Sequence, residues 1–199
     1  MAIAVSTRSR RSATSTLAPR IDVLTDALFV LAGTGLVAGA AQISISLPFT
    51  PVPITGQTFA VLLVGATLGT IRGIASLLLY LLIGIAGAPV YADQAHGWSV
   101  VTSASGGYLV GFVVAAAVTG FLAEHRWDRR FSSSISLMLT GNVIIYLVGL
   151  PWLAVVLDTG LEKTLEYGLY PFVPGDVFKL YLAAAVLPSA WKVVRSRDG

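Results

Sequence analysis

ITGQTFAVLLVGATLGTIRGIASLLLYLLIGIAGAPV, residues 54–90, carries a single charge, Arg72. One helix over the whole run would far exceed the roughly 30 Å of hydrocarbon that a bilayer offers. The TIRG turn, residues 70–73, with glycines beside it, predicts that the run splits into two helices, 57–71 and 73–90, each short for a full crossing. Four further apolar runs flank this pair, at 24–46, 106–124, 134–157 and 176–194. The reading is an all-α, polytopic membrane protein of six transmembrane helices.

Composition points the same way. Of 199 residues, 55% are hydrophobic and 12% charged, and the mean hydropathy is +0.80, whereas soluble domains carry about 25% charged residues. Backbone groups in lipid must be paired, which leaves helical bundles or closed barrels, and the short alternating segments of a barrel are absent. The chain has no cysteine and two histidines, so disulfides and thiolate metal sites are excluded and no metal centre is expected.

The cations are distributed asymmetrically. Arg8, Arg10, Arg11 and Arg20 lie in the N-terminal segment, Arg72 in the second connection, Arg126, Arg129 and Arg130 in the fourth, and Lys192, Arg195 and Arg197 at the end; only Lys163 and Lys179 fall on the other side. By the positive-inside rule both termini face the cytoplasm of an inner (plasma) membrane. The same placement accounts for the net charge of +3 without nucleic acid as a partner. Residues 1–20 are expected to form a flexible basic cytoplasmic tail, and residues 21–195 a six-helix membrane domain. The outer loops are long and rich in proline, aromatic and small polar residues, which places a binding site near the outer face.

Several polar residues stand out. In GNVIIYLVGLPWL, residues 141–153, Asn142 and Tyr146 are four apart and share a helical face, and Pro151 suggests a kink. In PFVPGDVFK, residues 171–179, Asp176 and Lys179 head the last apolar run. One reading makes Asp176 a helix cap that Lys179 neutralises at i, i+3; the other points both charges at a ligand. The outer ends of the fifth and sixth helices meet SGGYLVGF, residues 105–112, where Gly106 and Gly107 allow close backbone approach. Such a pocket would gather a carboxylate, an ammonium, an amide and the aromatics Tyr91, Trp98, Tyr108, Trp152 and Phe172. Gly107 with Gly111, and Gly35 with Gly39, form small-xxx-small pairs. Alanines around Gly35 and Gly39 widen a smooth surface there, which makes these two the better candidates for contact with a partner subunit.

Other chemistries lack their parts. No phosphate-binding loop, zinc-protease helix or serine nucleophile motif occurs, so the chain is not expected to hydrolyse ATP or act as an enzyme. An autonomous channel or secondary carrier would show ionisable residues deeper in the membrane, or an internal repeat.

PFTPVPITGQTFAVLLVGATLG (48–69), GAPVYA (87–92), SGGYLVGF, GNVIIYLVGLPWL and PFVPGDVFK together resemble the BioY family, the biotin-binding S-components of energy-coupling factor (ECF) transporters, over roughly residues 24–190. That resemblance implies a six-helix S-component that binds biotin near the outer face, beneath the connection between helices one and two. It also implies a transmembrane coupling (T) subunit and a pair of cytoplasmic ATPases as partners, with ATP used by those partners and no cofactor on this chain. GDVFK matches the family's acidic and basic pair, making Asp176 and Lys179 biotin ligands, with Asp176 on a ureido N–H. Asn142 and Tyr146 match the GN–IY motif and Gln57 the loop-to-helix QT; Tyr91, Gly107, Tyr108 and Trp152 complete the expected pocket. The DQAHGWSVVTSAS stretch departs from the family's glycine-rich loop, so no polar contact is carried over from it.

Overall fold

The computed structural model describes residues 23–128 and 130–197; the tail expected over residues 1–20 lies outside them. The element order is α1 (Val23–Ala41), β1 (Ser44–Ile45), β2 (Ile54–Thr55), α2 (Gln57–Ile85), a 3-10 turn (Ala92–Gln94), α3 (Trp98–Val101), α4 (Gly106–Glu124), α5 (Phe131–Leu157), α6 (Leu161–Gly168) and α7 (Val173–Arg197).

The segment α2 is helical throughout except at Gly69, whose φ of +79° and ψ of −180° lie where only glycine is at ease. The chain reverses there. A Cβ on Gly73 would sit 3.2 Å from Gly65 Cα, and Gln57 Nε2 donates to Tyr80 Oη at 2.7 Å. In one straight helix those pairs would be about 12 Å and about 34 Å apart. The expected split is therefore present, but the hinge is Gly69 rather than the TIRG turn. The second arm also stops at Ile85, short of the expected residue 90. The arms, 57–68 and 70–85, are about 18 Å and about 24 Å long. At the start of the second arm, Glu124 Oε1 accepts the Thr70 N–H at 2.8 Å, capping an amide that the reversal leaves without a helical partner.

Packing centres on α4, which lies against both α2 and α5; α1 lies against α2, and α7 against α5. Its buried stripe Gly107, Gly111, Ala115, Thr119 and Ala123 recurs every four residues, so neighbouring backbones approach closely. Of the four described helices long and apolar enough to cross a membrane, α1, α2, α4 and α5, the most apolar window of α4 is 61% buried, against 17% for α1 and 28% for α2 and α5. Large apolar side chains such as Leu28 and Leu31 on α1, Leu147 and Val155 on α5, and Phe178 on α7 are exposed. A girdle of that extent belongs in lipid, and the chain is a membrane protein.

Arg72, the single charge in the opening stretch, pairs with Asp26 of α1 at 2.5 Å and lies 5.3 Å from the centre of the Phe29 ring. Two features are not among the six expected runs. Residues 42–56 form a small antiparallel hairpin, Ser44 opposite Thr55 and Ile45 opposite Ile54, where the first apolar run was expected to continue to residue 46. The connection between α5 and α7 folds into the amphipathic helix α6. Pro151 lies inside α5, which continues through it as one helix.

Candidate functional site

The first arm of α2 begins beneath the β1–β2 hairpin, beside a cavity of about 330 Å³, within the range of small-molecule sites. Val52, Pro53 and Thr55 of the hairpin border it, with Gln57 and Thr58 of the first turn of α2. Tyr108, Leu109 and Phe112 of α4, Ile145 and Tyr146 of α5, and Phe172 and Lys179 supply further walls. Tyr91, Asp93, Ser99, Ser103 and Ser105 come from the α2–α4 connection.

One wall carries a closed polar cluster. Lys179 Nζ donates to Thr55 O at 2.9 Å, to Thr58 Oγ1 at 2.9 Å and to Asp176 Oδ1 at 3.2 Å. An ammonium has three protons, and all three are used. Thr58 Oγ1 donates to Asp176 Oδ1 at 3.2 Å, and the Tyr146 hydroxyl donates to Asp176 Oδ2. Asp176 is 6% exposed. A carboxylate so far from water survives because it has a counter-ion and two hydroxyl donors; removing one partner of such a pair costs about 3–5 kcal/mol.

The helix-cap reading of Asp176 does not hold. Helix α7 begins at Val173, and Asp176 lies within its first turn, where its own N–H already bonds Phe172 O at 2.9 Å. Its side chain is turned into the bundle. The carboxylate nevertheless sits one layer behind the cavity wall, and Lys179 and Tyr146 are the members of the cluster that border the cavity together with Thr58.

Gln57 is oriented by its neighbours. Its Nε2 donates to Tyr80 Oη, and its Oε1 accepts from Thr55 Oγ1 at 3.0 Å. The Tyr80 and Tyr91 rings meet edge to face at 5.4 Å, and Tyr91 Oη donates to Leu81 O at 2.8 Å. Burial pushes the Tyr91 phenol above its ordinary value, so it stays a neutral donor. Tyr108 is fixed by a bond from its hydroxyl to Gly168 O at 2.9 Å and by stacking on Phe172.

Four expected pocket residues lie elsewhere. Asn142 does not border this cavity: one helical turn below Tyr146, it lines a separate void of about 10 Å³ with Thr58, Met138 and Lys179. Trp152 faces away; its Nε1 donates to Ser103 O at 2.9 Å. Gly107 is filled by that same packing, since a Cβ there would overlap Trp152 and lie 3.1 Å from Val148 O. Trp98 is exposed and borders nothing in the cavity. Gly35 and Gly39 are exposed on α1, with nothing within 4 Å of a Cβ at either.

Sequence reasoning missed Tyr80, which the reversal at Gly69 brings to Gln57, and Thr55 and Thr58, which meet Lys179 of α7. It also carried over no polar contact from the α2–α4 connection, which in fact brings Asp93 and three serines to the cavity. Asp93 adopts a left-handed φ of +56°, and its Oδ2 accepts from Ser46 Oγ at 3.0 Å, tying this connection to the β1–β2 hairpin.

The BioY family model matches residues 9–196. The chain belongs to the BioY family. A biotin transporter BioY of Rhizobium etli is 37% identical over 147 residues, covering 70% of this chain and 78% of that protein. A probable biotin transporter BioY of Pyrococcus horikoshii is 36% identical over 160 residues, covering 80% and 90%. In Thermotoga maritima a biotin transporter BioY is 37% identical over 153 residues, covering 77% and 88%. The crystal structure of the S-component for biotin from an ECF-type ABC transporter shares the fold, with a TM-score of 0.77 over 88% of this chain and 95% of that one at 23% identity.

Proposed function

We propose that this BioY chain is the biotin-capturing S-component of an ATP-driven ECF uptake transporter and is not an enzyme. The observation that carries the reading is the buried cluster of Lys179, Asp176, Tyr146 and Thr58 against a mostly apolar cavity. Biotin is an apolar bicycle with a ureido edge that offers two N–H donors and one acceptor. If about 200 Å² of its apolar surface were buried, the gain would be about 5 kcal/mol before association costs. Nanomolar capture needs about 12 kcal/mol, so preformed polar contacts must supply the remainder.

In this reading a ureido N–H donates to the Tyr146 oxygen, whose own proton is held by Asp176. A negative charge behind the hydroxyl strengthens it as an acceptor. Lys179 keeps the buried carboxylate neutralised and holds Thr58 in place. Gln57, Tyr91 and Tyr108 shape the remaining walls, while Asn142, Gly107 and Trp152 support the wall from behind.

Six membrane crossings are supported by α1, the two arms of α2, α4, α5 and α7, which together form the proposed membrane domain of residues 21–195. The side of the cations assigns both termini to the cytoplasm of the inner membrane, with residues 1–20 as a basic tail. Release of biotin inward then calls for a coupling T subunit and an ATPase pair, since the sequence carries no phosphate-binding loop of its own. The open face of α1 around Gly35 and Gly39 suits the T subunit, because a smooth surface lets another helix approach closely.

Calorimetric titration of the purified protein in detergent tests the reading. Biotin should bind without ATP at a stoichiometry of one; absence of heat at micromolar protein and biotin would reject it.

A further inference from the structure

The cavity is lined at both depths by charge, and the two charges have opposite sign. Among the described residues that border it, only Lys179 and Asp93 are ionic. Lys179 is committed to the buried cluster, with its three protons donated to Thr55, Thr58 and Asp176. Asp93 lies at the exposed rim. Its carboxylate accepts a hydrogen bond from Ser46 Oγ, just beyond β1, at 3.0 Å. Of the other polar side chains of that connection, Tyr91 donates to Leu81 O and Ser103 to Val100 O, which leaves the hydroxyls of Ser99 and Ser105. A hydroxyl bonds a carboxylate or an amide alike, because it both donates and accepts.

We infer that the rim reads the ligand's tail by size and hydrogen bonding and disfavours negative charge there, so that biotin with its carboxyl capped as an amide binds at least as well as the free acid. The inference rests on the biotin reading: the ureido edge occupies the Tyr146 wall and the valerate tail runs toward Asp93. A carboxylate tail then meets Asp93 and the neutral hydroxyls of Ser99 and Ser105, whereas an amide tail meets the same hydroxyls without repulsion. Because the rim is exposed, the repulsion is screened by salt.

Titration of the full chain with biotin and with biotinamide, at low and at physiological ionic strength, tests this. In the unmodified protein biotinamide should bind as tightly as biotin or more tightly, with the gap widening at low salt. The second arm is Asp93→Asn. Asparagine tolerates the left-handed conformation and still offers Ser46 an acceptor, so that hydrogen bond survives. This substitution should lower the ratio of the biotin to the biotinamide dissociation constant by about threefold or more at low salt. Biotin binding tighter than biotinamide in the unmodified protein, or a ratio that Asp93→Asn leaves unmoved, would overturn the inference and leave the biotin reading standing. Binding of neither compound would overturn both.

Discussion

Gly35 and Gly39 of α1 have the same spacing as Gly107 and Gly111 of α4, and their surroundings are opposite. At the α1 pair a Cβ would meet nothing within 4 Å. At the α4 pair it would meet Trp152 and, 3.1 Å away, the carbonyl oxygens of Val148 and Ile145. A small-residue spacing thus states only that two surfaces can touch closely. Whether the partner is the same chain depends on which face the bundle has already filled, and α4 sits at its centre while α1 lies at its edge.

Bulky substitutions at the two pairs should act differently. The largest effect is expected from Gly107→Leu, which forces a branched side chain into the space held by Trp152. Overpacking of this kind costs about 3 kcal/mol or more where the obstruction includes backbone, so the thermal midpoint should fall sharply and biotin binding with it. A variant as stable as the parent would show that α4 and α5 are not in the contact described. A smaller effect on the isolated chain is expected from Gly35→Leu and Gly39→Leu. Both should leave the thermal midpoint and biotin affinity nearly unchanged, within about 0.5 kcal/mol of stability, yet reduce co-purification with the T subunit. Normal co-purification would remove α1 as the partner face; loss of stability would make the α1 pair an internal contact after all.

Much of the fold was legible because apolar runs have sharp ends. Residues 106–124 emerge as α4 with the expected bounds, since Ser105 precedes the run and His125 and Arg126 follow it. The reversal in residues 54–90 was legible from length, but composition could not decide which of several glycines would take the positive φ. The β1–β2 hairpin and α6 were not visible to a search for apolar runs, because LEKTLEYG is amphipathic and SI and IT are two residues each.

At the site, two charges at the border of an apolar run were conspicuous, and Asp176 and Lys179 do join one cluster with Tyr146. The groups that complete it, the Thr58 hydroxyl and the Thr55 backbone carbonyl, were not, since threonine recurs throughout the chain and only the packing of the start of α2 against α7 selects these two. Asn142 and Tyr146 share a helix face, but one turn of rise separates their surroundings. Trp152 illustrates the converse: its place in GLPWL says nothing about its rotation toward Ser103 and Gly107.

The central claim is that the Asp176 charge, buried behind Tyr146, makes the cavity wall an acceptor for a ureido edge. Asp176→Asn tests it most directly, because it removes the charge while keeping size and one acceptor. Hydrogen bonds that involve an ion contribute about 1.5–3 kcal/mol, and a tenfold change corresponds to about 1.4 kcal/mol. Calorimetric titration of the folded variant with biotin should therefore show affinity at least tenfold weaker than the parent. An unchanged dissociation constant would contradict the account.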